Sequence, residues 1–160
     1  MSERSIGRRQ VLTGAGVAAG GVAVTGLGMA APAAAHSGSH GRTGSWLCTR
    51  KDDPPADQTE AQFVLSLARG GVLGVLDINP APGTALGTWA PVGDHRFRGT
   101  SWAGFPATDT DPAVTVRVRA RGEAARHTIQ GTYRYVVFDA ASGAELFAVT
   151  GSFTGRRIVP

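Results

Sequence analysis

Val114-Thr115-Val116-Arg117-Val118-Arg119-Ala120-Arg121 is the stretch that decides how this chain folds. Val114, Val116, Val118 and Ala120 fall on one phase of a two-residue rhythm, and Thr115, Arg117, Arg119 and Arg121 on the other. Successive side chains of a strand point to opposite faces, whereas a helix would scatter both sets around its axis. The stretch is therefore a strand, expected with its valines in a core and its arginines in water; the alternative places the arginines inward, lining a polar pocket for an anionic ligand. With Arg126 and Arg134 across the next hairpin, the arginines form a solvated basic stripe that discourages unwanted strand pairing.

The same rhythm continues toward the C-terminus. Arg121-Gly122-Glu123 reads as a turn, and a β-rich run from Arg126 to Asp139 follows, with Ile129, Tyr133, Tyr135 and Val137 on one face and Gly131 as a bend. Asp139–Gly143 is a hairpin loop. The last strand, Glu145–Val159, sets Phe147, Val149, Gly151 and Phe153 against Ala148, Thr150, Ser152 and Thr154. Toward the N-terminus, Gly44–Thr49 is a short strand, and Ala61–Ala68 and Val72–Ile78 flank an Arg69-Gly70-Gly71 turn. Leu86–Ala90 and His95–Ser101 are joined through Val92-Gly93-Asp94, Trp102–Phe105 extends the second, and Phe105–Pro112 is the longest core loop. About eight short strands in sequence order, each with one apolar face, predict an all-β antiparallel fold, an up-and-down barrel or a sandwich. Closure into a barrel removes exposed edges, and eight strands enclose just enough room for one small ligand.

Composition agrees. A chain of 160 residues with 23 glycines, 9 prolines and 18% charged residues suits one domain of short elements and many turns. Cys48 is the only cysteine, which excludes an internal disulfide and a cysteine-based zinc site.

Residues 1–35 have the three parts of a signal peptide. Arg4, Arg8 and Arg9 make a basic start, Val11–Ala31 is uncharged and glycine-rich, and Ala33-Ala34-Ala35 fits a signal-peptidase site, leaving His36 as the new N-terminus. Arg8-Arg9-Gln10-Val11-Leu12 resembles the twin-arginine export motif, with Gly7 in place of the usual Ser or Thr. The resemblance implies the twin-arginine export machinery and signal peptidase as partners, a secreted or extracytoplasmic protein, and no stable membrane anchor after cleavage. Residues 36–43 form a polar arm and residues 44–160 the barrel domain. Without Glu3, Arg4, Arg8 and Arg9 the chain keeps 13 basic and 11 acidic residues, a charge of +2. That is too mild to indicate nucleic-acid binding.

Gly44-Ser45-Trp46 opens the first strand and Arg156-Arg157 closes the last. This resembles the calycin pattern of lipocalins, fatty-acid-binding proteins and avidins, in which a Gly-x-Trp indole packs near an arginine of the final strand and seals one barrel end. The resemblance implies that Trp46 is the plug, with Arg156 or Arg157 as its partner. It rests on the two ends of the domain; Gly87-Thr88-Trp89 repeats the Gly-x-Trp triplet, and the other lipocalin segments are absent from the sequence.

No motif identifies a reaction, so no catalytic residue, metal or cofactor is assigned. An N-terminal His36 resembles the copper ligand of polysaccharide oxygenases, but His40, His95 and His127 have no supporting spacing. Asp94-His95 with Ser101 or Ser142 has the composition of a hydrolase triad but lacks the Gly-x-Ser-x-Gly elbow. Cys48 shares the phase of Trp46 and is expected inside as a small hydrophobe. Trp89, Phe97, Trp102, Tyr133 and Tyr135, with Phe105, are the aromatic residues expected to share the interior and to line a ligand pocket. The leading expectation is a non-enzymatic barrel that binds a small apolar or aromatic ligand. The alternatives are a barrel enzyme of the cyclase, isomerase or dirigent type, and a structural or adhesion module with a packed core.

Overall fold

The structure, a computed structural model, describes residues 42–56, 60–79 and 83–159. The segment 1–35 with Arg8 and Arg9, and the arm apart from Arg42 and Thr43, lie outside them. Eight strands follow one another: β1 (Gly44–Asp52), β2 (Ala61–Leu67), β3 (Val72–Asn79), β4 (Gly83–Val92), β5 (Arg96–Phe105), β6 (Val114–Ala124), β7 (Thr128–Asp139) and β8 (Glu145–Arg157). Each pairs antiparallel with the next, and β8 returns to pair with β1, so the sheet closes into a barrel with no edge strand. The described residues contain no helix.

The rhythm of Val114–Arg121 explains the closure. Val116, Val118 and Ala120 face Ala103, Ser101 and Gly99 on β5, and Val137, Tyr135 and Tyr133 on β7. Every strand offers one mainly apolar row to a common interior, and the closed wall buries the eight rows together without leaving an edge. The largest fully buried side chains are Trp46, Phe97, Leu67, Leu73 and Ile129. They gather toward the end that holds the β2–β3, β4–β5 and β6–β7 turns.

Two details differ from the sequence reading. The turn expected at Arg121-Gly122-Glu123 falls instead at residues 125–127, and β6 continues to Ala124. Gly122 lies opposite Gly131 in the ladder, where a Cβ on Gly131 would come within 2.9 Å of the Gly122 Cα. That glycine permits a close backbone approach inside a strand and makes no turn. Trp102 is outside the barrel: it pairs with Leu86 on the outer face and is 48% exposed. The alternation through Phe97, Gly99, Ser101 and Ala103 forces it outward, where it lies beneath the Arg117 guanidinium, 5.6 Å from the ring centroid.

Candidate functional site

The first strand carries the parts of both barrel ends. Its inward phase runs Trp46, Cys48, Arg50, Asp52, from the most apolar side chain to a charged pair. Trp46 fills the first end and is fully buried. Arg157 lies opposite it in the β1–β8 ladder, its guanidinium 5.3 Å from the indole centroid. The same guanidinium donates to the carbonyls of Thr43 and, at 3.2 Å, Arg126. Gly44 has φ near +151°, and a Cβ there would sit 2.6 Å from Arg157 Nη2, so the triplet must begin with glycine. Arg156 pairs with Leu47 on the outer face and is not part of this contact. Arg42, expected in a loose arm, is buried and donates to the Gly93 carbonyl at 2.6 Å. Trp89 and Phe97 pack here too, Trp89 Nε1 donating to the Ala68 carbonyl at 2.9 Å.

Beyond this packed end lies a cavity of about 80 Å³. Leu73, Val75, Val118, Phe153 and the two tyrosines, Tyr133 and Tyr135, contribute to its wall. A water molecule occupies roughly 30 Å³ of liquid and a benzene-binding cavity is about 150 Å³, so the space suits a few heavy atoms. Ser101 also lines it. The residue is only 1% exposed, and its Oγ has no hydrogen-bond partner among the described residues. A buried hydroxyl without a partner costs about 1–3 kcal/mol.

The far rim of the cavity is charged. Arg50 Nη1 lies 3.2 Å from Asp77 Oδ1, and the Arg50 guanidinium sits 5.9 Å from the Phe63 centroid. Burial pushes the Asp77 carboxyl above its ordinary range, against the opposing pull of Arg50. Asp52 accepts from the Tyr133 hydroxyl, and from the Tyr135 hydroxyl at 3.4 Å. Burial, and then the bond to the Asp52 carboxylate, push the Tyr133 phenol upward, so it remains a donor at neutral pH. The two tyrosine rings stack with centroids 6.3 Å apart.

Of the six aromatic residues expected to line a pocket, then, Phe105, Tyr133 and Tyr135 reach the cavity, Trp89 and Phe97 belong to the packed end, and Trp102 is outside. Arg50, Asp52 and Asp77 were missed, although their signal was present: Arg50 and Asp52 continue the phase of Trp46 and Cys48, and Asp77 that of Leu73 and Val75. The triad residues are dispersed. Asp94 and His95 are exposed in the β4–β5 turn, Ser101 faces the interior, and Ser142 sits at the opposite barrel end, bonded to Asp139. Cys48 is buried beside Gly155, and burial pushes its thiol up to about 12. Among the described residues no three His, Cys, Asp or Glu side chains gather as a metal site. No family model, no curated protein and no solved structure matches the chain.

Proposed function

We propose that this barrel binds a small amphipathic molecule, seating a mostly apolar end that carries one polar atom in the cavity beneath Tyr133 and Tyr135 and leaving its polar head at the rim. The observation that carries this reading is the Ser101 hydroxyl, buried and without a partner among the described residues in a mainly apolar wall. A ligand that brings one acceptor or donor to Ser101 recovers the free energy the empty site forgoes. Arg50, Asp77 and Asp52 supply both charges and acceptors for the head group. The volume limits the inserted part to a short alkyl chain or a fragment smaller than benzene. The Trp46–Arg157 contact supports a calycin-type barrel, and the leader with Arg8 and Arg9 supports twin-arginine export to a place where such molecules are met.

The test is a titration with short-chain alcohols, amides and ketones, followed by the methyl resonances of Val75 and Val118 and by Tm. Ser101→Ala is expected to raise the stability of the free protein by about 1 kcal/mol and to weaken binding of the polar compounds. Val118→Ile, which fills part of the space, should weaken binding of all of them. Absence of any shift at millimolar ligand would overturn the reading. For the export step, Arg8→Lys with Arg9→Lys should hold the precursor in the cytoplasm.

One observation favours a second reading, a proton-transferring barrel enzyme. Asp77 reaches the cavity as a carboxyl whose proton affinity is raised by burial, the direction that favours a general acid. A ligand recovered chemically altered from the native protein, and unaltered from Asp77→Asn, would select it over simple binding.

A further inference from the structure

The outer wall carries a second, unrelated feature. In the β5–β8 ladder, Arg98 lies opposite Arg121, Arg121 opposite Thr132, and Thr132 opposite Ser152. One step along, Thr100 lies opposite Arg119, Arg119 opposite Arg134, and Arg134 opposite Thr150. Paired strands are about 4.8 Å apart, so four guanidiniums stand on adjacent strands in two neighbouring rows. Like charges directly opposite one another destabilise a sheet. Yet among the described residues no carboxylate lies within ion-pair distance of Arg98, Arg119 or Arg121, and Arg134 has only an exposed contact with Glu145 at 3.5 Å. The rim carboxylates are otherwise engaged: Asp53 accepts from Thr150 Oγ1 at 2.7 Å, and Glu123 pairs with Arg96 at 3.0 Å. Edge protection does not explain the cluster, because β6 and β7 are paired on both sides in a closed barrel.

The arginines line a depression of about 880 Å³, which continues past Arg98 and Arg121 toward Gln130. It exists because the wall beneath it has no side chains to hold it out. Gly99, Gly122, Gly131 and Gly151 occupy inward positions on β5 to β8. A Cβ on Gly99 would meet Leu73 Cδ2 at 2.9 Å, and one on Gly131 would meet Phe153 Cζ at 2.8 Å, so the backbone is drawn in against the core.

We propose that this groove binds an extended acidic glycan, its carboxylate or sulfate groups gripped by Arg98, Arg119, Arg121 and Arg134 and its hydroxyls by the intervening threonines. Guanidinium forks fit either oxyanion in pairs. Thr88, Thr100, Thr132, Thr150 and Ser152 line the floor, and they suit a hydroxyl-rich chain. The rings of Trp89, Phe97, Tyr133 and Phe153 point into the barrel, so among the described residues the groove has no aromatic platform on which bases could stack, as single-stranded nucleic acid requires. Ala90 and Val92 are its main outward apolar side chains, too few for the apolar centre of a protein interface. The groove lies outside the barrel and is independent of the cavity and its ligand.

The experiment measures binding of the full chain to a sulfated glycan (heparin fragments), to a carboxylated one (polygalacturonate fragments) and to an oligothymidylate of equal charge, across a salt series. Binding to one or both glycans is expected at about 50 mM salt, falling steeply as salt rises because counterions are released. The sulfated and carboxylated arms identify the oxyanion. Arg98→Thr with Arg121→Thr, and Arg119→Thr with Arg134→Thr, should each weaken binding by about tenfold or more and flatten the salt slope by about two charges. Arg69→Glu, in the β2–β3 turn, should leave binding within about twofold, since a charge outside the groove acts only through the screened long-range field. A Tm that is unchanged or raised in the double variants separates lost binding from lost folding. No binding to either glycan, double variants that bind like the native chain, or an oligothymidylate bound as tightly as the glycans would each overturn the proposal.

Discussion

The two ends of the barrel are built from one strand and differ in kind. At the Trp46 end the inward residues are large, apolar and fully enclosed, and the cations Arg42 and Arg157 lie across them as caps on carbonyls and an indole. At the Asp52 end, six residues on, the inward residues are an arginine and two aspartates that meet tyrosines and an apolar hollow. The first end follows the close-packing rule of protein interiors. The second leaves space unfilled and, among the described residues, the Ser101 hydroxyl without a partner. Close packing is thus concentrated in one end, and the polar groups on which the proposed binding rests in the other.

Substitutions at each end sharpen or break this contrast. The largest loss is expected from Trp46→Ala, about 3–5 kcal/mol by urea denaturation, because the indole is fully buried and its neighbours cannot collapse around Arg157. Gly155→Ala should follow with about 1–3 kcal/mol, since the added Cβ would lie 2.5 Å from Cys48 Sγ in a packed interior. At the other end Tyr133→Phe removes one bond to Asp52 while keeping the ring, and a loss near 1.5 kcal/mol is expected. A loss from Tyr133→Phe equal to that from Trp46→Ala would break the contrast.

The smallest effect is a slope with pH. Burial holds the Asp77 carboxyl above its ordinary value of 3.8 in the folded chain, so the folded state binds that proton more tightly than the unfolded one. Stability from this group is therefore highest on the acid side of the window above pH 3.8 and declines as pH rises through the raised value. Asp77→Asn should remove that decline, measured as the pH dependence of the urea midpoint, and an unchanged slope would show that Asp77 is not held protonated by its surroundings.

Much of the fold was legible from the Val114–Arg121 rhythm, because in a strand the inward or outward position of a side chain is fixed by parity alone. Parity carried through β5 would have excluded Trp102 from the interior; aromatic character suggested an inward ring, and the alternation with Phe97 and Ser101 overrode it. Gly122 misled for a related reason, since a glycine that opens a turn and one that admits a neighbouring backbone look the same in a sequence. The candidate site was less legible. Arg50, Asp52 and Asp77 lie on readable inward phases, but charged residues in a barrel interior are stable only when partners arrive from other strands, and those partners are distant in sequence: Asp77 for Arg50, Tyr133 and Tyr135 for Asp52.

The sequence by itself determined the two-residue period, most strand faces, hairpin links at residues 69–71 and 139–143, and the outward set of the β6 arginines, all of which are local consequences of backbone geometry. Only the tertiary structure decided that Arg157 and not Arg156 meets Trp46, that a hollow remains beside Ser101, and that glycines on four strands draw the wall inward under Arg98, Arg119, Arg121 and Arg134. These depend on register and on the fit of side chains from opposite walls, quantities that exist only once the barrel has closed.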